Sequence, residues 1–432
     1  MSKKKKHKKN NSSSETEQPQ NVSAKRTAQK NSSAPKNFKL HFAIIALFAF
    51  VLYANTLRNG FAFDDSVVIT GNNFTKEGLK GIPALVTHDL FAGIYGQSLE
   101  LSGGRYRPLT LVTHAIEYQL WGDKHPGYDH FINILLYAIA GWVMFITLSR
   151  LLKGATVTAF LATLIFIAHP IHTEVVANIK SRDEIICFVF LMLTLNYLLR
   201  FIFEGTKKYL GISLLCYLLS LFTKEHGITF LAIIPLTIYF FTEERTKDIF
   251  KRALPYLGIA VFYLLLRSAL LHTGNIKDST DVMENPFYGV PLAEKLATIS
   301  HILGKYLLLL IFPDPLSSDY SYNAIPYITW SDLNAIIPML VYLFLGIFAI
   351  VTFKQKNIFS YCVLFFLISI SIVSNIFFNI GAPMGERFVF LPSFAVCIAA
   401  AVLIMKLMKQ DEKSQAIVPS KLFLPLAIIA IR

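Results

Sequence analysis

The sequence predicts an all-α polytopic membrane protein, and three observations point to this fold class. The 432-residue chain is 54% hydrophobic and only 16% charged, whereas soluble domains carry about 25% charged residues. Long apolar runs recur along the whole chain, and a helix of about 20 apolar residues spans a bilayer. Basic residues follow every second run, which is the pattern of cytoplasmic loops. We therefore predict a bundle of about 11 transmembrane helices with a large first outer loop.

The predicted spans alternate in direction from a cytoplasmic N-terminus. Arg150 follows the second span, Arg200 the fourth and Arg245 the sixth, so these ends are cytoplasmic. The last apolar run starts at 421 and reaches the end of the chain, so we expect a missing C-terminal part. The spans are placed at 38–57, 129–149, 154–169, 185–201, 209–223, 227–242, 253–271, 333–353, 358–378 and 388–408, with the last run as the eleventh.

The apolar run Ala297–Phe312 is excluded from these spans because of the charges that follow it. If this run crossed the membrane, Lys354 and Lys356 would lie on the non-cytoplasmic side, against the positive-inside rule. His301 and Lys305 within the run also favour partial exposure to water. We therefore expect a re-entrant or interfacial segment. With this topology the non-cytoplasmic loops are 58–128, 170–184, 224–226, 272–332 and 379–387.

Residues 1–37 form a basic tail that cannot bury a core. Residues 1–40 carry eleven Lys or Arg and two Glu, so most of the net charge of +13 lies there. A tail so rich in Ser, Asn and Gln is predicted to be disordered, and we expect it to anchor the topology and attract anionic membrane lipids. A solvated tail without a partner is the alternative. The remainder, 38–432, is predicted as one transmembrane domain, too mildly basic for a nucleic-acid partner.

No cofactor motif is present in the sequence. The chain contains no P-loop and no GxGxxG after a strand. Its four cysteines lie inside apolar runs at spacings that fit no metal or disulfide framework, so we interpret them as core residues. The sequence thus predicts no certain cofactor and no metal ligands, and it leaves a requirement for a divalent metal open. The cysteines are Cys187, Cys216, Cys362 and Cys397.

Two adjacent carboxylates, Asp64 and Asp65, follow the first span among aromatic residues. A carboxylate at the bilayer edge could accept the proton of an acceptor hydroxyl while a lipid-linked donor stays in the membrane. Partial desolvation would raise the pKa of such a group, and a nearby cation would lower it. The alternative for this pair is a helix N-cap or a solvated turn.

The first outer loop ends with two arginines that flank an aromatic residue. Arg105 and Arg107 lie on either side of Tyr106, and guanidinium groups match the oxygens of phosphate. These arginines are therefore candidates for binding a lipid phosphate. An interfacial anchor of the aromatic-belt type is an equally consistent interpretation.

The segment 169–184 is the most polar stretch between two predicted spans. His169, His172 and Glu174 do not have the HExxH spacing of zinc peptidases, so we do not expect zinc. Polar groups are costly at membrane depth, which favours a functional role. Cations such as Arg182 could bind a leaving phosphate. An ordinary short loop with internal ion pairs is the alternative.

Three further polar motifs lie on the same predicted face. Lys224 and Glu225 occupy a tight hairpin between two spans, which favours a cavity. Asp319 lies in a loop of hydroxyls and aromatics that suits sugar or peptide contact, although such loops are commonly turns. Arg387 precedes the tenth span and could pair with Glu386 or reach a phosphate.

Together these motifs resemble the multi-spanning lipid-phosphate-sugar glycosyltransferases of the GT-C type. Within that type the chain looks most similar to the transmembrane and tetratricopeptide-repeat O-mannosyltransferases, relatives of the protein O-mannosyltransferases. The resemblance covers about residues 40–400, and its most specific part is the run from His169 to Asn178. No tetratricopeptide repeat is visible in the sequence. The other matching positions are Phe63–Asp65, Arg105–Leu109, His114, Asn133, Lys224–Glu225, Ser318–Ser321, Glu386–Arg387 and Leu391–Pro392.

The resemblance implies a GT-C-like helical bundle and an inverting transferase that moves mannose from a polyprenyl-phosphate carrier to a Ser or Thr hydroxyl of a protein. It also implies that an acidic residue of the first outer loop, matched by Asp64 or Asp65, is catalytic. The expected partners are a polyprenyl-phosphate-linked sugar donor, a protein or peptide acceptor and membrane lipids. We expect the donor phosphate to be bound by Arg105, Arg107, His169, His172, Arg182, Lys224 and Arg387, with Glu174, Glu225 and Asp319 as supporting polar residues.

The expected location is the cell (inner) membrane with the site facing the periplasm, or alternatively the endoplasmic reticulum membrane with the site facing the lumen. Two other classes of protein stay open. One is a different lipid-linked sugar or aminosugar transferase that acts on a lipid or glycan acceptor. The other is a transporter or a non-catalytic scaffold.

Overall fold

A computed structural model describes residues 38–62, 64–96, 105–271, 285–321 and 323–410. All of these residues belong to the compact unit Ala34–Arg432. Within these ranges the chain forms helices, turns and irregular segments, and no β-strand. The predictions for the basic tail 1–37 and for the apolar run from 421 concern residues outside the described ranges.

The described residues form sixteen α-helices. Shorter 3-10 helices connect several of them, and residues Ser66–Thr70 form a π-helix. The α-helices are α1 (Phe38–Tyr53), α2 (Asn73–Lys76), α3 (Ile82–Thr87), α4 (Ala92–Tyr95), α5 (Pro108–Trp121), α6 (Pro126–Leu151), α7 (Thr156–Ala168), α8 (Thr173–Ala177), α9 (Arg182–Glu204), α10 (Lys207–Thr223), α11 (Phe230–Phe241), α12 (Thr246–Leu271), α13 (Leu292–Ile311), α14 (Leu333–Thr352), α15 (Ile358–Ser371) and α16 (Phe390–Leu407).

The polytopic membrane architecture predicted from the sequence is confirmed, but the number of 11 spans is not. Within the described ranges, six helices are long and apolar enough to cross a bilayer. A seventh would be the pair Thr156–Ala168 and Pro170–Ala177, which meet at an angle of 57°. The six are Phe38–Arg58, Pro126–Leu151, Arg182–Glu204, Thr246–Leu271, Leu333–Gln355 and Glu386–Leu407.

Three predicted spans are helices that are too short to meet this criterion. Lys207–Thr223 has 17 residues, Glu225–Phe241 is a shorter apolar helix, and Ile358–Ser371 has 14 residues. At 1.5 Å per residue a 14-residue helix is about 21 Å long, which is less than the hydrocarbon thickness of about 30 Å. Only for Ile358–Ser371 does the predicted span, 358–378, extend well beyond the hydrogen-bonded helix.

The run that was excluded from the spans forms a continuous 20-residue helix, α13. One face of α13 is buried, including Ala297, Ile302 and Tyr306, and the helix packs against α14. Helix α13 is not one of the six helices that meet the criterion for a span. This agrees with the exclusion of the run 297–312 from the spans predicted from the sequence.

The core of the bundle is formed by α6, α7, α9 and α16. In the windows that meet the span criterion, Arg182–Glu204 is 67% buried and Glu386–Leu407 is 72% buried. By contrast, Leu333–Gln355 is only 6% buried. An apolar helix with so little protein contact is expected to face lipid, so the buried helices carry the polar side chains that could form a site.

The segment 64–95, here called the first-loop lobe, has a small core of its own. Val68, Ile69, Leu85 and Leu90 are buried with Ile179, which lies just before α9. The short helices of the lobe also pack against α5. The large first outer loop is thus folded against the bundle, and this packing brings its acidic pair close to the segment that leads into α9.

Candidate active site

The ends of three candidate spans meet around Asp64. Asp64 follows the span that ends at Arg58, Lys180 precedes the span that begins at Arg182, and Arg387 lies at the start of the span Glu386–Leu407. The Asp64 carboxylate forms an ion pair of 3.2 Å with the Lys180 ammonium. Since bundle ends lie at the membrane edge, this cluster occupies a position that a lipid-linked substrate can reach.

Three cations act on the Asp64 carboxylate. Lys180 contributes most to lowering the pKa of Asp64 below its ordinary value, and Arg387 and Arg105 add to this effect. The Asp64 side chain is 43% exposed, so it is open to a substrate. An accessible carboxylate that stays ionised among cations is suited to accept a proton next to an anionic leaving group.

Asp65 differs from Asp64 in its environment. It is only 1% exposed, and burial raises its pKa. Its carboxylate accepts hydrogen bonds from the backbone N–H groups of Ala62 at 2.9 Å and Lys180 at 2.8 Å. The two carboxylates therefore differ in role. Asp65 binds two backbone N–H groups, whereas Asp64 is the solvent-accessible carboxylate of the pair.

Lys180 lies in the polar segment 169–184 but does not belong to the predicted phosphate-binding set. The structure places its ammonium beside Asp64, with the residue 6% exposed. Burial lowers the pKa of Lys180, and the nearby carboxylates of Asp183 and Asp64 oppose that effect. Its position one residue after Ile179, which is buried under the first-loop lobe, fixes it there. Nothing in the spacing of the sequence indicated this cross-loop contact.

Arg105 is the cation of this cluster whose side chain has no carboxylate partner within the described part of the chain; its backbone N–H donates to the Asp89 carboxylate at 2.6 Å. Its guanidinium donates to the carbonyl of Ile380 at 3.3 Å and lies over the ring of Phe91 at 5.3 Å. Burial, followed by repulsion from Arg107, lowers the pKa of Arg105. A half-buried cation next to other cations is a favourable place for an anion.

Arg387 and Glu174 connect two distant parts of the chain. Arg387 pairs through its guanidinium with the Glu174 carboxylate, and its backbone N–H donates to the same carboxylate at 2.8 Å. The neighbouring Glu386 accepts from the backbone N–H of Ser317 at 2.6 Å and from the hydroxyl of Tyr320 at 2.9 Å. The predicted motifs around residues 174, 317–320 and 386–387 are therefore brought together.

Arg107 and Lys224 lie in a buried ionic network. Arg107 pairs with Asp183 at 2.6 Å and with Glu225 at 2.7 Å. Lys224 pairs with Glu184, and its ammonium lies 3.5 Å from Asp183. The network brings these residues together, and their charges are already balanced by carboxylates.

The two histidines of the predicted phosphate-binding set have partners in the protein. His172 is fully buried; one ring nitrogen is 2.8 Å from the Tyr137 hydroxyl and the other is 2.9 Å from the Ser393 hydroxyl. His169 accepts a hydrogen bond from the N–H of Ile171, and its other nitrogen lies 3.0 Å from the Leu310 carbonyl. These contacts place both rings in helix packing rather than at the Asp64 cluster.

Arg182 is fully buried as well, with 0% exposure. Its guanidinium pairs with Glu117 and donates to Asn133 at 2.7 Å and to the carbonyl of Asp129 at 3.1 Å. Arg182 therefore connects the N-terminus of α9 with α5 and α6. The N–H groups of its guanidinium already donate to protein acceptors, which argues against a direct contact with phosphate.

Asp319 is exposed and makes local contacts. Its carboxylate accepts hydrogen bonds from the backbone N–H of Ser321 at 2.9 Å and from the hydroxyl of that residue at 2.5 Å. This is the turn geometry that was the alternative at the level of sequence. The neighbouring Tyr320 reaches Glu386, so the loop is attached to the site through Tyr320.

Taken together, the described geometry is a carboxylate surrounded by cations at the end of a helical membrane bundle. This is an arrangement suited to group transfer from an anionic, membrane-bound donor. The class of protein is supported by the family comparisons: residues 115–272 match the family described as dolichyl-phosphate-mannose-protein mannosyltransferase.

A second match makes the relationship more specific. Residues 280–346 match the family described as protein O-mannosyl-transferase TMTC, DUF1736. The chain is thus a relative of the TMTC-type protein O-mannosyl-transferases, and the resemblance inferred from the sequence motifs is confirmed.

Individual relatives agree with these matches. The chain is 28% identical to protein O-mannosyl-transferase F38B6.6 of Caenorhabditis elegans over 84% of this chain and 51% of that protein. It is 31% identical to human protein O-mannosyl-transferase TMTC2 over 66% of this chain and 36% of that protein. For human protein O-mannosyl-transferase TMTC4 the identity is 27%, over 87% of this chain and 56% of that protein. The chain thus spans between about a third and just over half of the length of these relatives.

Proposed function

We propose that this protein is a membrane glycosyltransferase that moves mannose from a polyprenyl-phosphate carrier to a Ser or Thr hydroxyl of a protein acceptor. The printed names of the relatives support the sugar and the protein acceptor. The polyprenyl carrier is supported by the location of the cationic cluster at the ends of spans. We further propose that the site faces away from the cytoplasm, in the periplasm or in the lumen of the endoplasmic reticulum.

The observation that carries this proposal is the position of Asp64. It is an accessible carboxylate, 3.2 Å from Lys180 and under the influence of Arg105 and Arg387. As the acceptor hydroxyl oxygen forms a bond to C1 of the sugar, its proton passes to Asp64. The bond between C1 and the phosphate oxygen breaks, and polyprenyl phosphate leaves with the bonding electrons. An attack on the face opposite the phosphate inverts C1.

The leaving phosphate has negative charge that the site can stabilise. The side chain of Arg105 lacks a carboxylate partner among the described residues, so we propose it as the main phosphate ligand. Lys180 has three N–H donors and can hold Asp64 and a phosphate oxygen at once. Arg387 keeps part of its charge available because its side chain is 22% exposed. These cations stabilise the charge that develops on the phosphate in the transition state.

The other predicted residues are assigned supporting tasks. Arg107, Lys224 and Glu225 hold the ends of α5, α9 and α10 together through ion pairs. Glu174 positions Arg387. We propose Arg182, His169 and His172 as packing and positioning residues instead of phosphate ligands, since protein atoms occupy their hydrogen-bonding groups.

The proposal is tested by sugar transfer in a defined system. The full chain, purified in lipid nanodiscs, is incubated with polyprenyl-phosphate-mannose and a set of Ser/Thr peptides, and mannosyl-peptide is measured by mass spectrometry. Wild-type protein is expected to transfer mannose, whereas Asp64→Asn is expected to lose at least about 100-fold in rate. Glu77→Gln is the matched control, because Glu77 is an exposed acid of the same lobe.

Three results would contradict the proposal. Full activity of Asp64→Asn would remove Asp64 as the base. Transfer with a different polyprenyl-phosphate sugar, and none with mannose, would replace the donor. A glycan or lipid acceptor that outcompetes all peptides would favour the alternative transferase class.

The sidedness is tested separately with a cysteine probe. The four native cysteines are buried, so a single Glu77→Cys variant offers one exposed thiol on the first-loop lobe. A membrane-impermeant maleimide is expected to label this variant from the non-cytoplasmic side of sealed vesicles. Labelling from the cytoplasmic side alone would contradict the proposed orientation.

A further inference from the structure

Apart from the Asp64 cluster, one buried group of side chains combines an imidazole with two carboxylates. His114 and Glu117 lie on α5, and Asp129 lies in the first turn of α6. The three residues are 1%, 6% and 3% exposed, respectively. One potential ligand atom from each residue lies within 4.8 Å of the other two. The cluster has no part in the proposed transfer reaction.

The helix geometry explains why these groups converge. His114 and Glu117 are three residues apart, and side chains at this spacing share one face of a helix. Gly122 ends α5 with a φ of +68°, a left-handed conformation that favours glycine. This turn lets α6 begin at Pro126 and bring Asp129 back toward the face of α5. Trp121 donates to the Asp129 carboxylate at 3.1 Å and so fixes its orientation.

The hydrogen-bonding capacity of this cluster is only partly used by the protein. Both ring nitrogens of His114 and the Oε2 atom of Glu117 are buried without a hydrogen-bond partner among the described residues. An unmet buried polar group costs about 1–3 kcal/mol, so an imidazole with two unmet nitrogens calls for an additional partner. The ring is nine-tenths buried or more, and it lies against the two carboxylates.

Charge leads to the same conclusion. The only cation that touches the cluster within the described ranges is Arg182, which pairs with the Oε1 atom of Glu117 and donates to the backbone carbonyl of Asp129. Two carboxylates and one guanidinium leave one net negative charge in a buried place.

Two partners could satisfy the cluster, a proton or a cation. A proton shared between Glu117 and Asp129 would neutralise the charge, but it would leave the His114 nitrogens unmet. A metal ion accepts the lone pair of an imidazole nitrogen and the charge of both carboxylates at once. The donor set of one nitrogen and two carboxylate oxygens is of the type that binds Zn²⁺ and related divalent transition metals.

We propose that His114, Glu117 and Asp129 form a binding site for a divalent transition-metal ion that ties α5 to α6. Metal–ligand bonds of about 2.0–2.2 Å place neighbouring ligand atoms about 3–4 Å apart, so small side-chain rotations close the site. Trp121 and Arg182 hold the two carboxylates from outside, as partners of metal ligands commonly do.

The metal content of the protein tests this proposal independently of transferase activity. The full chain, purified without a histidine tag and loaded with Zn²⁺ in metal-free buffer, is analysed for bound metal by mass spectrometry. We expect about one Zn²⁺ per chain in the wild type and less than about a tenth of that in Glu117→Gln. His125→Gln is the matched control, since His125 is exposed near the start of α6, and it should keep the wild-type metal content.

A second measurement on the wild type avoids dependence on variants that fold poorly. Zn²⁺ is expected to raise the melting temperature by about 5 °C over the chelator-treated protein. Co²⁺ substitution should produce ligand-field absorption bands in the visible range. If the wild type binds no metal and Zn²⁺ does not change its melting temperature, the carboxylates hold a proton and the proposal is wrong. Equal metal content in the wild type, Glu117→Gln and His114→Gln would also overturn it.

Discussion

The backbone N–H of Lys180 donates to the Asp65 carboxylate at 2.8 Å, which joins the first-loop lobe to the segment before α9. Through this bond, Asp65 determines where the Lys180 ammonium lies with respect to Asp64. The two neighbouring acids are thus predicted to respond differently to substitution.

Asp65→Asn is expected to destabilise the protein by about 1–3 kcal/mol, because an amide has one oxygen acceptor and Asp65 accepts two backbone hydrogen bonds with its two oxygens. Thermal unfolding in nanodiscs measures the change. The control is Asp64→Asn, whose melting temperature is expected to fall less, because the Asp64 side chain is 43% exposed and the amide oxygen still accepts from the Lys180 ammonium. Equal destabilisation by the two changes would show that the acids share a structural role.

The pH profile of transfer is expected to reflect the low pKa of Asp64. Asp64 can act as a base only when it is deprotonated. Because Lys180 lowers the pKa of Asp64, the transfer rate should stay constant as the pH falls to below about 4, the ordinary pKa of a carboxyl group. Lys180→Met removes the main cause of this shift, so the acid limb should move to higher pH. The pH dependence of kcat/KM measures this limb, and a limb that stays in place in Lys180→Met would contradict the proposed role of Asp64.

Arg105→Gln is expected to weaken donor binding by about 10- to 100-fold, since hydrogen bonds to charged groups contribute about 1.5–3 kcal/mol. Titration with polyprenyl phosphate measures the affinity, and Arg105→Lys should recover part of it. Lys76→Gln is the control, because Lys76 is exposed on the same lobe. Unchanged donor affinity in Arg105→Gln would show that another cation binds the phosphate.

Arg107→Met is expected to destabilise the fold by about 3–5 kcal/mol, because it leaves the buried Asp183 and the half-buried Glu225 with one partner fewer each. Expression level and melting temperature report this change. Arg58→Met serves as the control, since Arg58 is exposed. A normally stable Arg107→Met variant with impaired donor binding would instead return Arg107 to the phosphate ligands.

Tyr320→Phe is expected to loosen the loop that reaches Glu386. The hydroxyl of Tyr320 donates to the Glu386 carboxylate at 2.9 Å, and the loss of one such bond costs about 0.5–1.5 kcal/mol. Hydrogen exchange at the amide of Ser317, which bonds the same carboxylate, should become faster. Tyr288→Phe, which changes an exposed tyrosine that precedes α13, should leave that exchange unchanged.

The sequence predicted the class of fold well, because about 20 consecutive apolar residues have few uses outside a membrane. It predicted helix lengths less well. Hydropathy continues beyond Ser371, where the hydrogen-bonded helix stops, and an apolar run does not show where the backbone leaves the helix. For this reason the structure does not confirm the 11 predicted spans within the described ranges.

For the candidate site, the sequence pointed to segments that the structure brings together, but it did not predict the contacts of individual residues. Asp64 and Asp65 are adjacent and chemically identical, and only their partners distinguish them. His172 and Arg182 belong to polar motifs that are typical of an active site, yet both side chains are buried inside the bundle. Lys180 was missed because its importance depends on a contact with a residue 115 positions away, which no local spacing reveals.

The pair formed by Glu174 and Arg387 has a consequence for biosynthesis. These residues are 213 positions apart, and the helices between them enter the membrane before Arg387 leaves the ribosome. During that interval the Glu174 carboxylate has no Arg387 to pair with. In the folded protein its side chain is only 6% exposed. Contacts of such long range form late in folding, so we expect nascent chains that end before Arg387 to keep this acid hydrated and to be recognised by quality control.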